Sequence, residues 1–102
     1  MMARATADAI FALAFVHHMA ISKNIPLDQL VAWIVGFAPT GVIEFVPKQD
    51  PMVQELLRFR KDCFPDYTEE NFLYLLRSMA EIKKSETISS TGRLLVSYRR
   101  QD

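Results

Sequence analysis

The chain has 102 residues, half of them hydrophobic and 24% charged. That composition suits one small globular domain, and it excludes both a disordered tail and a two-domain protein. Lys+Arg and Asp+Glu are equal at 12 each, so net charge gives no reason to expect nucleic acid or an anionic membrane as partner.

In chain order, Ala9–Ala14 is continuously apolar rather than alternating. A strand with apolar groups on both sides belongs in a sheet covered on both faces, although the alanine content also permits a helix here. Pro26 and Asp28 suit a helix start. Leu27, Leu30, Val31, Ile34 and Ala38 keep helical spacing, and Pro39-Thr40-Gly41 ends that helix. Gly41–Val46 is β-branched and aromatic and reads as a second strand. Asp50-Pro51 opens another helix, carried by Val53, Leu56, Leu57 and Arg60 to about Lys61. The stretch 63–67 is a loop. Thr68-Glu69-Glu70 opens a helix with Phe72, Leu75, Leu76 and Met79 on its buried side. Glu81–Ile88 and Arg93–Arg99 form a terminal hairpin, joined by Ser89-Ser90-Thr91-Gly92. The order predicts an α/β protein with a parallel start and an antiparallel hairpin at its end.

Cys63 is the sole cysteine, so no disulfide can form within the chain; that fits a reducing compartment, the cytoplasm. The apolar run to Ile21 is broken by His17 and His18, and it is shorter than the ~20 residues needed to cross a bilayer. No signal peptide is recognisable. The basic clusters at 58–61, 83–84 and 99–100 read as solvated faces, and Trp33 and the methionines as core filling.

Several stretches together resemble a known family. Asp8 precedes the first strand, which leads into Phe15-Val16-His17-His18-Met19. Ile43–Pro51 looks like a further strand and its exit, and Phe64–Thr68 and Gly92-Arg93 add to the match. From Asp8 to Arg100 the text resembles the C-terminal half of a class I S-adenosylmethionine-dependent methyltransferase, in particular a bacterial subgroup labelled nodulation-type. The resemblance implies a Rossmann-like half-sheet: two parallel strands joined through a helix, more helices, then an antiparallel hairpin, all in one partial domain over 1–102. It also implies S-adenosylmethionine as cofactor, with Leu13, Ala14 and Phe15 against its methionine part. The family's cofactor loop is Gly-rich, whereas Gly36, Gly41 and Gly92 form no such motif here. The expectation is a truncated methyltransferase that supplies one wall of the cofactor and substrate site and is inactive alone. The alternative is a noncatalytic dimerisation module that keeps the half-fold.

Ligands of open α/β sheets sit outside the carboxyl ends of the strands, which draws attention to the residues just past Ala14. His17 and His18 are the only histidines. Being adjacent, at most one faces a pocket there, and His18 is the weak candidate for a general base. The plainer reading makes both structural, packing at a strand-to-helix turn. No zinc site is expected, because two adjacent histidines and one distant cysteine lack the ligand number and spacing. His17, His18, Asp66 and Tyr67 are the substrate-side candidates. Glu44 is the odd polar group in an apolar strand and needs a partner in a neighbouring turn or in another chain. With the cofactor-binding half absent, strand 9–14 becomes a sheet edge. Self-association, or pairing with an N-terminal methyltransferase half, is therefore expected through it.

Overall fold

The structure, a computed structural model, describes residues 8–58 and 64–100. The strands are β1 (Ala9–Ala12), β2 (Thr40–Phe45), β3 (Ala80–Thr87) and β4 (Leu94–Arg100); the α-helices are α1 (Leu27–Phe37), α2 (Pro51–Leu57) and α3 (Glu69–Met79). A single π-helical turn, His18–Ser22, lies between β1 and α1. The strands form one mixed sheet in the order β1-β2-β4-β3. β1 runs parallel to β2 with Ala12 opposite Ile43, and β4 is antiparallel to both of its neighbours.

Helices α2 and α3 each begin at a side-chain cap. The Asp50 carboxylate accepts the Met52 N–H at 2.9 Å ahead of α2, with Pro51 in the first turn. The Thr68 hydroxyl accepts the Asn71 N–H at 3.1 Å ahead of α3. In α1, Leu27, Leu30, Val31, Ile34 and Val35 are buried, one stripe at helical spacing.

Paired residues of neighbouring strands share a face. Gly41, Ile43 and Phe45 of β2 lie opposite Tyr98, Val96 and Leu94 of β4, and all but Gly41 belong to the hydrophobic core with α1 and α3. Phe45 stacks on Tyr67 and Phe72, with ring centroids 4.8 and 5.0 Å apart. Gly41 is the point of closest approach. A Cβ there would stand 2.6 Å from Ile10 Cγ2 and 2.8 Å from Tyr98 Cε1, so the β1–β2–β4 junction requires glycine. Tyr98 crosses the core so that its hydroxyl donates to the Ala38 carbonyl at 2.9 Å, with the Ile34 carbonyl at 3.2 Å, closing the end of α1. Arg100 adds a donor to the Val35 carbonyl at 2.9 Å.

The opposite face, carrying Phe11, Val42, Leu95 and Ser97, is more open. Phe11 is 73% exposed, and Leu13 just beyond β1 is 55% exposed. The expectation of a sheet covered on both faces is met on one face among the described residues.

Four other expectations are corrected. β1 ends at Ala12 rather than Ala14, because Ala14 turns the chain into the left-handed region at φ 55°. Trp33 is 54% exposed on the outer side of α1, flanked by Phe15 and Phe37, and Met52 is also exposed; neither fills the core. Arg100 is a half-buried helix-capping donor, not a solvated charge. Lys83 and Lys84 are exposed as expected, beside Glu81 and Glu86. The expected extension of α2 to Lys61 and the position of Cys63 lie outside the described residues.

Gly41→Ala should lower unfolding stability by about 2 kcal/mol, the cost of overpacking a filled junction. Gly36→Ala, which meets nothing within 4 Å on α1, should raise it by about 0.5–1 kcal/mol. Urea unfolding of both variants against the parent checks the pair, and equal effects would contradict the packing at Gly41.

Candidate functional site

β1 and β2 are parallel, so their carboxyl ends lie on one side of the sheet, the side from which Leu13–His18 leaves. The exit is shaped by Ala14. Its N–H lies beyond the last paired position of the ladder and donates instead to Glu44 Oε1 at 2.7 Å. Leu13 and Ala14 are exposed, and Phe15 is half-buried against Trp33 with ring centroids 6.1 Å apart. The three residues expected to wall the cofactor therefore form one short surface segment at the strand end.

Beneath this exit lies a polar thread. Glu44 is 8% exposed, and its Oε2 faces Arg93 Nη1 at 3.7 Å. Arg93 grips Asp50 with two donors, Nε to Oδ2 at 2.8 Å and Nη2 to Oδ1 at 3.1 Å. The Thr91 hydroxyl also donates to Asp50, and Ser89 Oγ accepts the Arg93 N–H at 3.1 Å. Asp50 is only 2% exposed. Its carboxyl is held well below the usual carboxylate range, first by the Arg93 hydrogen bonds and then by Thr91 and Met52, against the opposing pull of burial. Arg93 is shifted up by the same pair.

The histidines separate. His17 is 1% exposed, and neither ring nitrogen has a hydrogen-bond partner among the described residues. His18 is exposed, and its ring lies 4.6 Å from that of His17. Burial lowers the pKa of His17; the neighbouring His18 and Arg93 act in the same direction, while Glu44 and Asp50 oppose them. His17 is thus a packed neutral imidazole behind the exit, and His18 is the imidazole that meets solvent.

Asp66 and Tyr67 are brought together elsewhere. They line an open cleft of about 430 Å³ with Asn24, Ile25, Asp28 and Leu75. The π-helical turn contributes Ala20 to that cleft, while His17 and His18 are not among its lining residues. Tyr67 itself is 2% exposed, and its hydroxyl donates to the Val46 carbonyl. Burial, reinforced by Asp50 and Glu44, pushes that hydroxyl far above the ordinary tyrosine range, so it serves as a donor and not as a base. No group of three or more His, Cys, Asp or Glu side chains suited to a metal ion occurs among the described residues. None of their helices is long and apolar enough to cross a membrane.

Residue-by-residue reading of the sequence does not single out Arg93, Thr91 and Ser89 as site residues. The signal that points toward them is Glu44, a lone acid in an apolar strand, together with an arginine closing the hairpin loop. Only the strand register, Glu44 opposite Leu95, joins the two.

The described residues form an α/β unit with a mixed sheet, and the Glu44–Arg93–Asp50 thread lies at the carboxyl end of β2. The chain is 44% identical over 99 residues to nodulation protein NoeA of Rhizobium meliloti (strain 1021), an alignment covering 97% of the chain and 21% of NoeA. It therefore spans about a fifth of the length of that relative. No family model and no solved structure matches it.

Two buried groups, Asp50 and His17, work against folding in acid. Asp50 and His17 each have a folded pKa below the unfolded value, so each contributes stability above its unfolded pKa and loses it as pH falls. The urea midpoint should fall below about pH 6.5 as His17 takes up a proton in the unfolded chain, and again below about pH 4 for Asp50. Asp50→Asn should cost about 3 kcal/mol at pH 7, because it leaves Arg93 without its carboxylate, and should converge with the parent toward about pH 2. A constant deficit across that range would show that Asp50 acts only as a helix cap.

Proposed function

We propose that the chain is part of a nodulation-type, S-adenosylmethionine-dependent methyltransferase, and that it forms one wall of the cofactor and substrate site without being active alone. The observation that carries this reading is the exposed edge of the described sheet at β1. Among the described residues β1 is the sheet's edge, with Phe11 in it 73% exposed and Leu13 just beyond it 55% exposed. Parallel sheets are normally buried on both faces, and their ligands sit beyond the carboxyl ends of the strands. The Leu13–Phe15 segment lies at that end. The element order, with a helix joining two parallel strands and a hairpin closing the sheet, supports the family resemblance, and the similarity to NoeA supports its nodulation-protein part alone.

The residues fit the cofactor's needs. Ala14 is small and exposed, so the backbone of the exit is open to close approach by the methionine part. Leu13 and Phe15 offer apolar surface beside it. The cofactor supplies a sulfonium methyl group as the transferable unit. His18, exposed next to this segment, is the candidate to accept a proton from an incoming nucleophile, and His17 keeps it company as a buried packing group. Asp66 and Tyr67 remain the substrate-side candidates, in the separate cleft under the π-helical turn.

Isothermal titration calorimetry with S-adenosylmethionine tests the reading on two proteins: the chain alone, and NoeA carrying this chain in place of its own homologous segment. No binding by the lone chain, binding by the chimaera, and loss of that binding on Leu13→Glu are expected. Absence of binding in both overturns the methyltransferase reading. If the lone chain is then a stable dimer by light scattering, the noncatalytic dimerisation module replaces it. Tight binding by the lone chain overturns the claim that it forms only one wall.

A further inference from the structure

We infer that Glu44 is a positioning residue: anchored by Arg93, its carboxylate fixes the turn at Ala14 that sets the shape of the Leu13–Phe15 wall. The inference rests on the methyltransferase reading for what that wall binds, and on geometry alone for what shapes it.

Ala14 is a non-glycine residue at φ 55°. Alanine enters the left-handed region only where its surroundings over-determine the backbone, and such residues gather at functional sites. Here the constraint is visible. β1–β2 pairing stops at Ala12 opposite Ile43, and the next residue of β2, Glu44, reaches across to the Ala14 N–H at 2.7 Å. A hydrogen bond to an ionised acceptor is among the stronger single contacts available to a backbone amide.

Glu44 is free to do this because its other oxygen is occupied elsewhere. Oε2 faces Arg93 at 3.7 Å, and Arg93 is locked by its two-donor grip on the buried Asp50. The carboxylate can neither swing away nor lose its charge partner without disturbing the hairpin loop. A purely apolar residue at position 44 would satisfy the burial of β2. It would not satisfy the Ala14 N–H.

Amide hydrogen exchange and calorimetry on the NoeA chimaera separate the possibilities. In the parent, the Ala14 amide should be protected. Glu44→Gln keeps an oxygen acceptor but loses the charge that Arg93 anchors, and should weaken that protection, and S-adenosylmethionine affinity, by about threefold each. Glu44→Met removes the acceptor and should speed Ala14 exchange and weaken cofactor binding by about tenfold each. Adding Ala14→Gly to Glu44→Met should restore part of the affinity, since glycine enters the left-handed region without the alanine penalty, while exchange at position 14 stays fast. A residue that merely stabilised the sheet would not give that split.

Parent-like affinity and exchange in Glu44→Met overturn the inference. So does a Glu44→Gln variant as impaired as Glu44→Met, which would show that the oxygen acceptor does not hold the turn. If Glu44→Met does not fold, an unprotected Ala14 amide in the parent, or a loss of about tenfold in Glu44→Gln, still overturns it. A parent chimaera that binds no cofactor refutes the methyltransferase reading, and the exchange results then decide the role of Glu44 by themselves.

Discussion

The two-donor grip of Arg93 on Asp50 is the constraint on which the described structure turns. A carboxylate that is 2% exposed must be met by donors, and Asp50 has three sources: the Met52 amide, the Thr91 hydroxyl and the Arg93 guanidinium. Each comes from a different demand. The amide starts α2, the hydroxyl shapes the hairpin loop, and the guanidinium lies at the entry to β4. Because Arg93 also faces Glu44, and Glu44 holds the Ala14 N–H, a single thread of charge runs from the β3–β4 loop to the exit of β1. Surface pairs such as Glu55–Arg58, with both side chains more than half exposed, contribute little by comparison.

Much of the scaffold is legible in the residues. The apolar spacing of α1, the Thr68 and Asp50 caps and the loop around Gly92 each carry their own local signal. The structure follows them to within a residue or two. Where local signals fail, the deciding contact is distant. Ala14 is not a turn-forming residue type, so nothing local marks the end of β1; the turn exists because Glu44, thirty residues on, supplies the acceptor. Arg93 lies 43 residues from Asp50, and their pairing emerges only once the sheet order is known. Trp33 misleads for a different reason: its residue type suggests the core, whereas its position does not. It lies between the inward-facing pairs 30–31 and 34–35 of α1, so the helical period alone places it outside.

The site is legible to about the same depth. Adjacent histidines cannot share one direction, and the structure buries His17 while exposing His18. Asp66 and Tyr67 read as a loop lining a mouth. They do line a cleft, but Tyr67 gives its hydroxyl to the Val46 carbonyl and contributes only ring surface. Hydroxyl chemistry at that position would require breaking a buried hydrogen bond, which argues for a shaping role in that cleft.

The open face bears on which partner completes the sheet. A second copy could join edge to edge at β1, most simply antiparallel about a two-fold axis normal to the sheet. Such a pairing satisfies the backbone row of β1 that has no partner among the described residues, and it leaves each copy's open face where it was. Phe11 would still meet water, at the centre of a wider apolar surface. A further parallel strand differs, because its connection must cross over the sheet and normally does so with a helix. Under the proposed reading, that crossover supplies a layer over Phe11 as well as a strand beside β1. An edge dimer therefore answers only the backbone, whereas the remainder of a doubly covered sheet answers both the backbone and the exposed side chains of Phe11 and Leu13. That asymmetry favours the chain as part of a larger α/β sheet over a self-sufficient dimerisation module.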